Sequence, residues 1–247
     1  MVSVDDMRVF KRARLLHDLD EVIRLEVGGC ENLTKFTVHK TVLCPSSPFF
    51  ESAYKPEWMT AEERVIRLPN DDPIAVRAMV YWMYHNIICI SGEMDELEIG
   101  NTEEDAMKSA YGLLAKLYIL GEKFQMPRLR NDAIDAILYR YESTGSFDIG
   151  INSYVYANTS GDSPLRKLLV HIALDNYNKP QIGSFKEMLC GELIFDLAKV
   201  PFSEEMEVEK ARTGYGYPID DFCNKFHVHP INRVKKCENL TNYVLDS

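Results

Sequence analysis

The period of the apolar residues changes along the sequence, and this change constrains the fold more than any other feature. Apolar and polar residues alternate over residues 23–27 and again over 35–38, with Gly28-Gly29 between the two runs. Such alternation is typical of strands with one buried face, so it predicts a hairpin. Residues 64–69 form a third strand-like run, and the short apolar run 87–90 can supply another strand.

Helical spacing replaces alternation further along the chain. Asp72 suits the N-cap of a helix and Pro73 its first position, and the strongest helical period covers residues 113–124. Pro127 breaks that pattern and can open the next helix. Two later helices are expected at residues 164–177 and 184–197. Beyond residue 201 the periodicity is lost, which predicts loop or tail.

The acidic charge balance narrows the classes of partner. The 247 residues carry a net charge of -10, which repels nucleic acid phosphates and anionic membrane surfaces. No apolar run approaches the ~18 residues of a membrane span, and the N-terminus lacks the apolar core of a secretory signal. We therefore expect the protein in the cytoplasm or nucleus, where its six cysteines act as small hydrophobic residues rather than disulfides.

Motifs for nucleotide, metalloprotease or serine-hydrolase chemistry are absent from the sequence. It contains no GxxxxGK[ST], GxGxxG, HExxH or GxSxG pattern. Residues 36–50 nevertheless bring His39, Cys44 and Ser47 close together, as a nucleophile and its base could be. Ser47 precedes Pro48 at a predicted helix start and is better explained as a cap, while His39 could orient a backbone carbonyl. We expect no enzymatic activity and no catalytic residue.

Three blocks of residues, in a fixed order, resemble the BTB/POZ family and in particular its fungal-type members. Each block joins residues that the family places at a strand end, a helix start or a helix pair. The blocks are His39, Leu43, Ser47 and Phe50; Leu68, Pro69, Asp72, Pro73, Trp82 and Tyr84; and Leu114, Ala115, Phe124, Pro127 and Leu129. The resemblance covers residues 18–140 and is specific because all three blocks occur together in order.

The resemblance implies an α+β fold, in which a small three-stranded sheet is flanked by helical hairpins and followed by a helical extension. Four segments are expected: an N-terminal helical segment at 1–17, a BTB/POZ domain at 18–143, a helical extension at 144–201 and a loop-rich tail at 202–247. The resemblance also implies a non-enzymatic protein–protein interaction module that needs no cofactor and whose partners are other proteins.

Members of this family commonly self-associate through the N-terminal helix, and many act as adaptors. Leu15, Leu16 and Leu19 could supply the helix–helix contact of a homodimer, or they could pack within the chain. The alternative function is a substrate adaptor for a cullin-based ubiquitin ligase, because the acidic stretch 91–105 lies near the region that such adaptors use. That stretch can also be a solvated loop, and no recognisable substrate-binding repeat follows the helical extension.

Cysteine and histidine residues cluster in the tail. The residues concerned are Cys223, His227, His229 and Cys237. Together they supply the ligand types of a tetrahedral zinc site. Their spacing does not match a zinc finger, because the two cysteines are far apart in sequence. Either these residues bind zinc, or they belong to a basic solvated tail.

Overall fold

The structure of the protein is a computed structural model that describes residues 21–30, 32–55, 65–90, 107–176, 188–200, 223 and 225–228. The described residues fall into two compact units. The first unit consists of residues 21–86 and 123–126, and the second of residues 87–122 and those from 127 onward. None of the helices in these ranges combines the length and the apolarity needed to cross a bilayer.

A three-stranded mixed sheet lies in the first unit. Its strands are β1 (Val22–Val27), β2 (Thr34–His39) and β3 (Val65–Leu68), in the order β2-β1-β3. β1 pairs antiparallel with β2 and parallel with β3, and Leu25 stands opposite both Phe36 and Ile66. The alternating apolar residues of β1 are fully buried. The predicted hairpin of β1 and β2 is therefore confirmed.

Gly28 ends β1 in a conformation that a residue with a side chain rarely adopts. Its φ is +90°, and a Cβ atom there would lie 2.8 Å from Oδ1 of Asn32 and 3.3 Å from Cγ of Pro73. The Gly28 N–H donates to the Leu68 carbonyl at 3.0 Å. A glycine at this position thus allows the chain to turn out of β1 while it remains bonded to the end of β3.

Three helices of the first unit are α1 (Lys40–Ser46), α2 (Pro48–Ala53) and α3 (Pro73–His85). Asp72 is the N-cap of α3, and its side chain accepts from the N–H groups of Ile74 and Ala75. The helix ends at Asn86, whose φ is 57° and whose N–H donates to the Trp82 carbonyl at 2.7 Å. The left-handed conformation of Asn86 satisfies a carbonyl that the last turn would otherwise leave unpaired.

The strand suggested for residues 87–90 is not formed, and this expectation was wrong. Ile88 is buried, whereas Cys89 is exposed. An apolar run of four residues is too short for its period to distinguish a strand from an irregular segment.

The remaining helices belong mainly to the second unit. They are α4 (Ala110–Lys123), α5 (Pro127–Thr144), a 3₁₀ helix (Ile149–Ile151), α6 (Asn152–Asn158), α7 (Pro164–Asn176) and α8 (Gly191–Lys199). α4 buries residues on several of its sides and contains most of the stretch 113–124, where the helical period is strongest. α6 was not predicted, because its seven residues are too few to show a clear period.

Asn152 links the 3₁₀ helix to the turn before α8, and its bonds explain why the helix expected at 184–197 is not continuous. Its side-chain amide donates to the carbonyls of Ile149 and Met188, each at 2.6 Å, and its carbonyl oxygen accepts the Cys190 N–H at 2.7 Å. The helix expected at 184–197 is interrupted, because residues 188–190 are non-helical and the described helix is Gly191–Lys199, while residues 184–187 lie outside the described residues. Residues 188–190 form a non-helical turn because the buried Asn152 side chain engages their backbone groups.

Candidate functional site

His39 is the last residue of β2 and is bonded to a side chain of α3. Its Nδ1 lies 2.7 Å from the hydroxyl oxygen of Tyr84, and its backbone N–H donates to the same oxygen at 3.0 Å. The two rings meet edge to face with centroids 5.9 Å apart. The partner of the imidazole is therefore a tyrosine hydroxyl rather than the backbone carbonyl expected from the sequence. This hydroxyl joins the end of the strand to the helix.

Ser47 connects two parts of the core of the first unit. It is fully buried, and its hydroxyl accepts the Phe50 N–H at the start of α2. The same hydroxyl donates to the Phe124 carbonyl at 2.6 Å. Phe50 is also fully buried, with its ring centroid 4.7 Å from that of Phe124, and Leu43 is fully buried in α1. These residues form a packed, hydrogen-bonded core.

Cys44 lies between His39 and Ser47 in sequence, and burial raises the pKa of its thiol. The nearby Lys40 opposes this shift, whereas Glu51 and Glu21 reinforce it. The ammonium of Lys40 is itself bound to the Glu21 carboxylate at 2.8 Å. A thiol with a raised pKa is protonated near neutral pH, so it lacks the thiolate that a nucleophilic cysteine needs.

Two of the three prolines in the resembling blocks stand at helix starts. Pro73 is the first residue of α3 and follows the Asp72 cap, and Pro127 is the first residue of α5. Gln125, just before α5, has a φ of 56°. Pro needs no hydrogen-bonding N–H in the first turn, so both prolines fit where a helix begins.

One side of α3 exposes large apolar side chains, and we call it the α3 face. Ile74 is 60% exposed, Tyr81 42% and Tyr84 39%. Their spacing of seven and three residues places them on the same side of the helix. The ring centroids of Tyr81 and His85 are 4.2 Å apart. The two tyrosines, three residues apart in sequence, were the signal that could have identified this face.

Two of the four candidate zinc ligands lie in the described part of the tail. The His227 N–H donates to the Cys223 carbonyl at 3.1 Å, and Nε2 of His227 lies 2.7 Å from Oδ1 of Asp135 on α5. His229 and Cys237 lie outside the described residues. Within those residues no group of three or more His, Cys, Asp or Glu side chains could hold a metal. Zinc binding therefore stays a prediction.

Leu15, Leu16 and Leu19 also lie outside the described residues, so their role in a dimer stays a prediction. Asn131 and Asp135 of α5 were not identified from the sequence, although both contact the tail. Their separation of four residues, one helical turn, was the available signal.

Comparison with known proteins gives a family match for residues 25–140. Residues 25–140 match the family model of the BTB/POZ domain, and a comparison with curated proteins gave no match. The matched range includes most of the mixed sheet, α3, α4 and most of α5. The expected α+β fold class, with a helical extension after the domain, is confirmed. The match of residues 25–140 to the BTB/POZ domain supports a role as a protein–protein interaction module.

Proposed function

We propose that this chain is a non-enzymatic interaction protein of the fungal BTB/POZ type, which self-associates and recruits a protein partner. The match of residues 25–140 to the BTB/POZ domain carries the proposal. The hydrogen bonds of His39 and Ser47 support its non-enzymatic part, because both side chains serve the core rather than a substrate. Burial raises the pKa of Cys44, which also argues against a nucleophile at this position.

Self-association is assigned to the N-terminal segment through Leu15, Leu16 and Leu19. Apolar side chains at this spacing can form one stripe of a helix, which a second copy can cover. The partners are other proteins, because the net charge of -10 disfavours nucleic acid and anionic membranes. The proposed location is the cytoplasm or nucleus.

Sedimentation velocity of the full chain tests self-association. The wild type should sediment as a dimer at micromolar concentration, and Leu15→Asp with Leu19→Asp should shift it to the monomer. Leu33→Asp is the matched control, because Leu33 is an exposed leucine of the first unit and its substitution should leave the dimer intact. A wild type that is monomeric at every concentration would refute this part of the proposal. Loss of the dimer in Tyr81→Glu alone would assign the contact to the α3 face instead.

The cullin-adaptor function is the alternative, and it rests on the family resemblance. The acidic stretch 91–105 on which it depends lies outside the described residues. Co-purification of the full chain with a cullin in mild salt tests it, and retention of a cullin by the wild type but not by a variant with neutralised residues 93–98 would support it. Failure to retain a cullin would remove the alternative and leave self-association untouched.

A further inference from the structure

The second unit contains a short peptide segment of the tail that lies against α5 and α7. Residues 223, 225 and 226 are helical and residues 227 and 228 are not, and the His227 N–H donates to the Cys223 carbonyl at 3.1 Å. Phe226 is fully buried, and its ring centroid lies 6.2 Å from that of His171 on α7. A loop-rich tail alone would not bury a phenylalanine, so the second unit provides a buried site for this side chain, which we call the Phe226 site.

Asn131 binds the backbone of the segment at Val228. Its side-chain amide donates to the Val228 carbonyl at 3.1 Å, and its carbonyl oxygen accepts the Val228 N–H at 2.8 Å. One carboxamide therefore satisfies both backbone groups of one residue, much as a neighbouring strand would. The side chain at position 228 takes no part in these two bonds, so this contact fixes the position of the peptide without reading its sequence.

Asp135 is hydrogen-bonded to the side chain of His227. Nε2 of the imidazole lies 2.7 Å from the Asp135 carboxylate, and the side chains are only 1% and 9% exposed. A buried carboxylate that loses its donor is strongly unfavourable, so this position of the peptide requires a hydrogen-bond donor of the right length. An apolar residue in place of His227 would leave Asp135 buried without that donor.

We propose that the side of α5 that carries Asn131 and Asp135 forms, together with the Phe226 site, a peptide-binding site. Its ligand is a Phe-His segment followed by any residue with a backbone N–H, and the resident ligand is this chain's own segment 223–228, docked in cis. Docking is reversible in this proposal, because the contacts described above come from three neighbouring residues of the tail, and segments held by few contacts open locally at low cost. The proposal does not depend on the function assigned to the BTB/POZ domain, since the ligand is part of the chain.

The tether determines how the site must be tested. A segment on the same chain competes at an effective concentration in the millimolar range, so a free peptide cannot easily displace it from the wild type. The resident segment must first be weakened within the full chain. Phe226→Ala with His227→Ala removes the buried ring and the donor to Asp135, and it leaves Asn131 and Asp135 available to a peptide added in trans.

Fluorescence anisotropy with a labelled peptide of residues 222–229, in which Ser replaces Cys223, tests the proposal. The full chain with Phe226→Ala and His227→Ala should bind this peptide at least about tenfold more tightly than the wild type does. Adding Asn131→Ala to that chain, or using a peptide with His227→Ala, should weaken binding by at least about tenfold. Equal affinity for the wild type and the double variant, or no effect of Asn131→Ala, would overturn the proposal.

A second measurement uses the wild type and therefore still tests the proposal if the double variant fails to fold. Cys223 is buried in the docked segment of the wild type, so displacement of the segment should expose its thiol. Unlabelled peptide at about 10 mM, above the effective concentration of the tethered segment, should accelerate alkylation of Cys223 several-fold, as mapped by mass spectrometry. Cys190, in the non-helical turn before α8, should react at an unchanged rate. Unchanged alkylation of Cys223 at the highest peptide concentration would also overturn the proposal.

Discussion

The hydroxyl of Ser47 donates a 2.6 Å hydrogen bond to the backbone carbonyl of Phe124, which lies 77 positions further along the chain. The same oxygen caps α2 by accepting the Phe50 N–H at 3.2 Å. A single buried hydroxyl therefore satisfies a helix start and a distant carbonyl, and no other residue type of similar size except threonine offers both functions.

Replacement of Ser47 by alanine should lower the free energy of unfolding by about 2–4 kcal/mol, because it removes the cap and leaves a buried carbonyl without its donor. Urea unfolding of the full chain measures this change. Ser46→Ala is the matched control: the Ser46 hydroxyl donates only to the Val42 carbonyl within α1, and its loss should cost less than about 0.5 kcal/mol. Equal effects of the two substitutions would contradict the role of Ser47.

Replacement of Phe50 by alanine should cost about 3–5 kcal/mol, because the fully buried ring lies against Phe124 and its removal leaves a cavity. Such a loss is a large part of the ~5–15 kcal/mol by which domains are stable. Thermal and urea unfolding would both detect it. Ile74→Ala, at an exposed position of α3, should change the stability by less than about 0.5 kcal/mol. A midpoint for Phe50→Ala near that of the wild type would show that the ring is not buried.

Replacement of Asn152 by alanine should destabilise the helical extension by about 2–4 kcal/mol, because two carbonyls and one N–H lose the partner that their turn requires. Hydrogen exchange should show lost protection at Cys190 in particular. Asn158 provides the control, since among the described residues its side chain bonds to the Tyr154 carbonyl alone, at an exposed position. Full protection of Cys190 in Asn152→Ala would show that another group holds this turn.

Stability should fall as the pH rises above 10. Burial raises the pKa of Tyr111 to about 12, although Thr144 and Arg140 act in the opposite direction. Between pH 10 and about 12 the unfolded chain loses this phenolic proton while the folded chain keeps it, so the free energy of unfolding decreases by up to about 1.4 kcal/mol per pH unit.

Tyr111→Phe removes the ionising group and should make this decrease shallower, which urea unfolding at a series of pH values can measure. Burial also raises the pKa of Tyr156, so part of the decrease should remain in this variant. A pH dependence unchanged by Tyr111→Phe would contradict the assignment.

Zinc binding can be decided by equilibrium dialysis followed by elemental analysis. A site that includes Cys223, His227, His229 and Cys237 should hold about one zinc ion per chain, and Cys223→Ser should remove most of it. The contact of His227 with Asp135 favours this outcome, because zinc-bound histidines commonly donate their other ring N–H to a carboxylate. Cys89→Ser, at an exposed cysteine, is the control and should retain the metal. A wild type without zinc would remove the site.

Local signals were sufficient for the hairpin and for the start of α3. The alternation in β1 and β2 determines which side chains face the core, and a register shift of one residue would expose all of them. Asp72 and Pro73 each act on the first turn that directly follows them. In both cases the residue and its structural effect lie within a few positions of each other.

Long-range contacts could not be predicted in this way. The partner of His39 is 45 positions away, and that of Asn131 is 97 positions away. The helical residues up to Phe226 are too few to show a helical period, so the sequence pattern predicts only loop there. Such contacts depend on the tertiary fold that brings the partners together, and no property of the local sequence encodes them.

The mixed pairing of the sheet has a consequence for the order of folding. Residues 28–33 separate β1 from β2, whereas residues 28–64 separate β1 from β3. Closing the shorter loop costs less conformational entropy, so the antiparallel pair should assemble early and β3 should dock later. β1 then acts as a template for the second pairing. We expect substitutions in β1 to slow folding, and equally destabilising ones in β3 mainly to accelerate unfolding.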